Sequence, residues 1–152
     1  MYARDIMKTA VVSARSNERL SDLMQRIYKH HVRMLPVIDD HGKVCGAVST
    51  FSIMEHMLPS YVTSGDLGNL SFAPDMDLLR TRYKACHASY VNVLMDEALL
   101  VEADESVLAV AAALIDCGKH ECAIVVDKDQ RLLGLISAED VLNSLTKKLE
   151  IL

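Results

Sequence analysis

The sequence lacks several features that would have pointed to other classes of protein. Tryptophan is absent and aromatic residues make up only 5% of the 152 residues, so the core must be built from aliphatic side chains. No apolar run approaches the roughly 18 residues needed to cross a bilayer, and the N-terminus has no apolar signal segment. The formal net charge is −5 and no basic patch is present, which argues against nucleic acid. We therefore expect a soluble, cytoplasmic protein that contacts neither nucleic acid nor membrane.

Disulfide, metal and catalytic signatures are also missing. The four cysteines form no CxxC pair, which is typical of a reducing compartment. Cys117 and Cys122 flank His120, but their spacing is not that of a zinc site and no fourth ligand is evident. The sequence has no nucleophile–base pattern, phosphate-binding loop or dinucleotide fingerprint. We expect no metal, no catalytic cofactor and no enzymatic activity.

The main positive feature is an internal repeat. A shift of 88 residues superposes the two ends of the chain without a gap, placing Val37–Asp39 on Val125–Asp127 and Gly46–Ser49 on Gly134–Ser137. Each copy predicts the order strand, helix, strand, strand, helix. Because one copy alone buries too little apolar surface, the two should pack together. The predicted fold is α/β (α+β), with two β-α-β-β-α repeats related by a pseudo-twofold axis.

Apolar periodicity places the individual elements. In the first repeat they are a strand at Val11–Val12, a helix from about Asn17 to His30, strands at 35–38 and 43–49, and a helix from Thr50 that ends before Pro59. In the second they are a strand at 99–101, a helix at 106–116, strands at 123–126 and 132–136, and a helix from about Ala138. The predicted boundaries are 1–58 for repeat 1, 59–90 for a connector with a short helix after Pro74, and 91–152 for repeat 2. That helix carries basic residues, and it could serve as a simple link or contact a partner.

The start of the last predicted helix is the strongest candidate site. An apolar strand runs directly into Ser137-Ala138-Glu139-Asp140, with Ser137 as the expected N-cap. The unpaired N–H groups of a helix N-terminus suit a phosphate, and a carboxylate one turn later suits ribose hydroxyls. The same Ser-x-x-Asp pattern is also a capping box, in which both side chains satisfy only the helix itself. The residues alone leave both interpretations open.

Two copies of a Val-apolar-Asp strand followed by Gly-apolar-apolar-Ser resemble a tandem pair of cystathionine-beta-synthase (CBS) domains, a Bateman module. Leu35–Asp39 looks like the family's LPVVD strand, and Gly134–Asp140 matches its Gly-apolar-apolar-Ser/Thr-x-x-Asp motif. The resemblance covers nearly everything except the connector. It implies a regulatory module that binds AMP, ADP, ATP or S-adenosylmethionine and performs no chemistry itself.

The resemblance also implies a set of binding residues. In the family the motif's aspartate holds the ribose hydroxyls, its serine touches the phosphate, and segments before the first and second strands hold the adenine. The implied site comprises Asp140, Ser137, Ala10, Val11, Val12, Val32, Arg33, Met34, Glu121 and Cys122. A weaker second site comprises Ser49, Ser52, Leu99, Leu100 and His120. Ser52 there replaces the aspartate, which removes a charge-assisted contact of about 1.5–3 kcal/mol.

Two classes of function follow. The chain is either an adenosine-ligand sensor that signals to an unknown partner, or a ligand-free interaction and dimerisation module with a vestigial pocket. Residues 1–58 carry a net charge of +2 and residues 89–152 a net charge of −7. This acidic half, with Glu121 close to the phosphates, favours AMP or S-adenosylmethionine over ATP. A homodimer is predicted from two apolar helix faces, namely Phe51, Ile53, Met54, Met57 and Val141, Leu142, Leu145, Leu149.

Overall fold

The computed structural model describes residues 1–58, 76–118 and 122–149. Within these residues the helices are α1 (Ala3–Ile6), α2 (Leu20–His30), α3 (Thr50–Met57), α4 (Met76–Cys86), α5 (Val91–Leu94), α6 (Val107–Cys117) and α7 (Ala138–Lys148). The strands are β1 (Ala14–Arg15), β2 (Met34–Ile38), β3 (Val44–Ser49), β4 (Leu100–Glu102), β5 (Cys122–Val126) and β6 (Leu132–Ser137). The rest of the connector, 59–75, lies outside the described residues.

Each repeat contributes one three-stranded sheet, in the orders β1-β2-β3 and β4-β5-β6. The first pair of strands in each sheet is parallel and the second pair is antiparallel. The hairpin registers match across the repeats, since Val37 faces Gly46 and Val125 faces Gly134. The predicted fold class of two strand–helix–strand–strand–helix repeats is confirmed.

An aspartate organises the hairpin turn in each repeat. Asp39 Oδ1 accepts hydrogen bonds from the His41 N–H (2.8 Å) and the Lys43 N–H (3.0 Å). Asp127 Oδ1 accepts equivalent bonds from Asp129 and Arg131, both at 2.9 Å. Such an Asx turn is a local structure that the Asp-containing sequence predicts without tertiary contacts. This explains why these turns were found from the sequence.

The gapless shift of 88 residues is wrong for α2 and α6, the helices that precede the hairpin of each repeat. Val107 and Val110 of α6 occupy the core positions that Leu20 and Leu23 occupy in α2, which is a shift of 87. Leu108 and Ile115, which a shift of 88 would place at the core positions of Leu20 and Ile27, are 80% and 83% exposed. Four positions separate the end of α6 from the start of β5, whereas three separate α2 from β2, and this difference restores the shift of 88. Because α6 is apolar on nearly every face, its sequence does not show which face is buried.

The first strand of each repeat also begins later than expected. Val11–Val12 is not a strand, because the strand that pairs with β2 is Ala14–Arg15, with Ala14 opposite Val37. In the second repeat the strand starts at Leu100 rather than Leu99. These strands have only two and three residues, so pairing rather than β propensity decides their position. The helix predicted from Asn17 begins at Leu20, since Arg19 before it has extended backbone angles.

The repeats exchange their N-terminal helices, which sequence reasoning missed. Ala3 of α1 is buried in the core of the second repeat, whereas Val91 and Leu94 of α5 are buried in the core of the first. The second residue after each exchanged helix also pairs with a strand of that sheet. Lys8 exchanges two backbone hydrogen bonds with Leu135 (2.8 and 2.9 Å), and Asp96 does the same with Ala47 (2.8 and 3.0 Å). The boundaries 1–58, 59–90 and 91–152 stay a prediction.

Contacts between the two sheets hold the halves together. A third apolar cluster contains Val44 and Ala47 from β3 with Ile124 and Val126 from β5. The N–H of Val44 donates to the carbonyl of Gln130, so the hairpin turns also meet. This cluster therefore joins the sheet of the first repeat to the sheet of the second.

Two residues assigned to the exposed faces of the predicted homodimer are placed wrongly. Ile53 of α3 and Val141 of α7 are buried in the cores of their own repeats. Both sit on the inward side of a helix that packs on a sheet, and the sequence did not separate that side from the outer one. Other members of the same faces are exposed, namely Phe51, Met54, Leu142, Leu145 and Leu149.

The motif glycines allow the exchanged segments to approach the strands. A Cβ atom built on Gly134 would lie 2.7 Å from the carbonyl oxygen of Lys8, and one on Gly46 would lie 2.9 Å from that of Asp96. Both distances are too short for carbon and oxygen. Glycine is therefore required at these positions by the exchange of the helices.

We expect Gly134→Ala to lower the free energy of unfolding by about 1–3 kcal/mol, because the added methyl group must push the Lys8 backbone away from β6. Chemical denaturation measures the total effect. Hydrogen exchange should show faster exchange at the Lys8 and Leu135 amides, whose bonds are disturbed, than at the Ala47 amide in the other repeat. Unchanged protection at all three amides would contradict the close approach.

Candidate functional site

The junction of β6 and α7 holds the candidate site. Ser137, the last residue of β6, caps α7 by accepting a hydrogen bond from the Asp140 N–H at its Oγ (3.2 Å). Asp140 Oδ2 in turn accepts bonds from the Ser137 N–H (2.8 Å) and the Ser137 Oγ–H (3.0 Å). The capping box that the sequence suggested is therefore formed. It uses only one of the two carboxylate oxygens of Asp140.

The other oxygen of Asp140 faces a lysine from the exchanged segment. Lys8 Nζ lies 3.4 Å from Asp140 Oδ1. The aspartate is only 8% exposed, whereas the lysine is 68% exposed. The helix cap uses only Oδ2, so the capping role does not account for the contact between Oδ1 and Lys8.

A groove between α1 and α7 opens beside this ion pair. It has a volume of about 550 Å³, within the range of small-molecule sites. Its lining combines apolar with charged and polar side chains, and consists of Met1, Asp5, Ile6, Lys8, Asp140, Asn143, Ser144, Lys147 and Lys148. Three lysines against two aspartates make the groove suitable for an anionic group.

The segments expected to hold adenine are divided between the two junctions. Ala10 is exposed, and Val11 and Val12 are partly exposed, on the chain that continues from Lys8. Cys122 pairs with Ser137 and so lies at the Asp140 junction. His120 and Glu121 lie outside the described residues.

Residues 32–34 lie at the equivalent junction of the first repeat. Met34 pairs with Ser49, and the Arg33 carbonyl accepts a hydrogen bond from the Thr50 N–H (3.0 Å). This segment is therefore beside the start of α3 in its own repeat.

The first repeat has the same cap but not the same chemistry. Ser52 is 1% exposed, accepts a hydrogen bond from the Ser49 N–H and donates one to the Ser49 carbonyl, both at 2.9 Å. Its hydroxyl is thus used within the cap. Asp96 stands at the position equivalent to Lys8, so an acidic side chain replaces the lysine there. Leu99 and Leu100 are partly buried, and the Leu99 carbonyl accepts a bond from the Ile124 N–H.

Lys8 is the site residue that sequence reasoning missed. The shift of 88 residues aligns Lys8 with Asp96, so the charge at this position is reversed between the repeats. This alignment does not show that Lys8 lies beside Asp140. Only the exchange of α1 into the second repeat carries it to Asp140. Nothing local to Lys8 predicts that exchange.

Two further structural findings concern metals and membranes. Among the described residues, no group of three or more His, Cys, Asp or Glu side chains could hold a metal ion. Cys117 ends α6 ahead of Gly118, which has the left-handed backbone typical of a helix C-terminus. No helix in the described parts of the chain is long and apolar enough to span a bilayer.

Comparison with known proteins agrees with this architecture. A family model of the CBS domain matches residues 3–59 and 91–147. The structure of the CBS-pair protein CBSX2 from Arabidopsis thaliana has a TM-score of 0.74 and 22% identity, covering 98% of this chain and 96% of that one. CBSX2 in complex with AMP has a TM-score of 0.71 and 20% identity, with 97% of both chains covered. The two chains therefore share one fold over almost their full lengths.

Two more relatives extend the comparison. The CBS domain pair of protein MJ0100, solved in complex with 5′-methylthioadenosine and S-adenosyl-L-methionine, has a TM-score of 0.68 and 19% identity, covering 97% of this chain and 98% of that one. L-aspartate semialdehyde sulfurtransferase of Methanocaldococcus jannaschii is 24% identical over 140 residues, which is 91% of this chain but 22% of that protein. The chain spans about a fifth of the length of this sulfurtransferase.

Proposed function

Because the chain belongs to the CBS-domain family, we propose that it is a regulatory module that binds an adenosine-containing ligand at Asp140 and signals to a partner protein. One observation carries this proposal. Asp140 is nine-tenths buried at a helix N-terminus, and its second carboxylate oxygen is directed towards a groove instead of serving the cap. A ribose offers two adjacent hydroxyl donors, which that oxygen can accept.

The remaining parts of an adenosine ligand have suitable partners nearby. A 5′-phosphate can accept hydrogen bonds from the first N–H groups of α7, where the helix dipole is positive. Val11 and Val12 supply apolar surface for the base on the segment that follows Lys8. The AMP, 5′-methylthioadenosine and S-adenosylmethionine complexes of the structural relatives support this class of ligand.

Thermal unfolding with a panel of ligands tests the proposal. A ligand that binds only the folded state at 100 times its dissociation constant adds about 2.7 kcal/mol of stability. AMP, ADP, ATP, S-adenosylmethionine and adenosine should raise the melting temperature, and guanosine monophosphate should not. A melting temperature that no adenosine compound changes would contradict the proposal.

We expect AMP or S-adenosylmethionine to bind more tightly than ATP in the absence of metal. A helix N-terminus offsets one or two phosphate charges but not four, and residues 89–152 carry a net charge of −7. Calorimetric titration at two salt concentrations measures the affinities. ATP as the tightest ligand at low salt without magnesium would show that the charge argument is wrong.

The alternative function, a ligand-free interaction module, has one observation in its favour. The outward faces of α6 and α7 are apolar and exposed in the single chain, with Leu108, Ile115 and Leu142 among the exposed residues. The sequence predicts a homodimer through faces of α3 and α7, and the exposed residues of α6 lead us to propose that the dimer forms through α6 and α7 instead. Binding and dimerisation are compatible, since the groove lies between α1 and α7 rather than on the α6 surface.

We further propose that the module catalyses no reaction and works in the cytoplasm. None of the four cysteines forms a disulfide, which is the state expected in a reducing compartment. The sulfurtransferase activity of the long archaeal relative belongs to a protein of which this chain matches 22%. Assaying the purified chain for sulfur transfer and for nucleotide hydrolysis tests this directly.

A further inference from the structure

We propose that Lys8 makes the Asp140 site selective for adenosine ligands with an anionic group at the 5′ position. Such a ligand, of which AMP is the simplest, would be favoured over neutral adenosine and over the sulfonium cation S-adenosylmethionine. This inference rests on the proposed function of Asp140 as the ribose-binding residue.

The backbone of Lys8 is held rigidly beside the site. Its N–H and carbonyl both bond to Leu135 of β6, and Gly134 lets the carbonyl approach within contact distance of the strand. The side chain, in contrast, is 68% exposed and ends in a flexible stem. The ammonium group can therefore change partner while its attachment point stays fixed.

Ligand binding requires such a change of partner. Asp140 Oδ2 is occupied by the N–H and hydroxyl of Ser137, so Oδ1 is the oxygen available to ribose. Lys8 Nζ lies 3.4 Å from this same oxygen. Two hydroxyl groups that bind Oδ1 compete with the ammonium group and displace it.

The displaced ammonium group then determines which ligands bind. It remains tethered next to the N-terminus of α7, where a 5′-phosphate would lie, and can form a charge-assisted hydrogen bond with it. Adenosine has no group to replace the lost ion pair, and a sulfonium group at that position is repelled. Only an anionic ligand can therefore give Lys8 a new ionic partner in place of Asp140.

The first repeat provides an internal comparison. Asp96 takes the place of Lys8, with the same pair of backbone bonds to Ala47 of β3. Ser52 takes the place of Asp140, and its hydroxyl is used in the cap. The first repeat therefore has no counterpart of the Lys8–Asp140 ion pair, from which the selectivity of the second repeat is argued.

The test compares dissociation constants of AMP, adenosine and S-adenosylmethionine for the wild-type chain and for Lys8→Met. Loss of the charge-assisted contact should weaken AMP binding about 10-fold. Loss of the competing ion pair should strengthen adenosine and S-adenosylmethionine binding about 2- to 5-fold. Lys8→Arg should keep the preference for AMP. Lys128→Met removes the same charge from the exposed hairpin turn of the same repeat and should change none of the three.

Opposite changes for AMP and adenosine are the essential result, because a purely structural role of Lys8 would weaken all ligands together. Equal weakening of the three ligands, or no change, overturns the inference while leaving the proposed function of Asp140 intact. If the wild-type chain binds none of the three, the proposed function fails first and the selectivity fails with it.

Discussion

Asp140→Ala is expected to weaken adenosine-ligand binding at least about 100-fold, because a buried carboxylate that accepts two hydroxyl donors contributes roughly 3 kcal/mol or more. The same substitution removes half of the capping box of α7, at a cost of about 1 kcal/mol in stability. Lys8 loses its partner but is largely exposed, so its ammonium group is solvated at little cost. Binding should therefore be lost from a chain that still folds.

Two variants separate the ligand from the cap. Asp140→Asn keeps an oxygen acceptor for the Ser137 N–H, so its stability should stay close to wild type while its affinity falls. Ser52→Ala removes the equivalent half of the capping box in the first repeat, the bond from the Ser49 N–H to the Ser52 hydroxyl, and should lower stability without changing affinity at Asp140. Calorimetric titration and chemical denaturation on all three variants provide the two readouts. Unchanged affinity with lowered stability in Asp140→Ala would mean that Asp140 is only a helix cap.

The second large effect is expected at the apolar helix surface. If the chain forms a symmetric homodimer through α6 and α7, each surface residue is buried twice, once per protomer. Introducing Ile115→Glu and Leu142→Glu together replaces four apolar contacts by four buried charges. The dissociation constant of the dimer should rise at least about 100-fold, since burying one such side chain contributes about 1.5–3 kcal/mol.

Sedimentation velocity over a micromolar concentration range measures this change. Both residues are exposed in the single chain, so the melting transition of the isolated protomer should remain cooperative. Gln25→Glu adds one carboxylate to the exposed face of α2 in the first repeat and controls for the effect of added surface charge. A wild-type chain that is monomeric at micromolar concentration contradicts the dimer.

The two proposals make different use of the same helix. The inward-facing start of α7 holds Asp140 and the groove, whereas its outer face presents Leu142, Leu145 and Leu149. A ligand that repositions the start of α7 would therefore also move part of the exposed apolar face. This provides a physical route from the binding site to a partner, and hydrogen exchange along α7 with and without AMP would follow it.

Patterns confined to a few neighbouring residues were readable before the structure. The hairpins β2–β3 and β5–β6 follow from apolar runs around an aspartate turn, and the Ser137–Asp140 cap follows from its own four residues. Each depends on bonds between residues at most four apart at the turn or cap, so a local pattern carries the information. The family motif lies in these same segments, which is why the resemblance was correct.

The position of Lys8 and the register of α6 depended instead on distant parts of the chain. Lys8 reaches Asp140 only because α1 packs on the second repeat, through contacts between residues more than 100 positions apart. In α6 almost every side chain is apolar, so the buried face was selected by packing on β5 and β6 and not by amphipathic spacing. A local motif can specify a helix cap. The candidate ligand site also includes a second charged group, Lys8, and only tertiary packing places it beside Asp140.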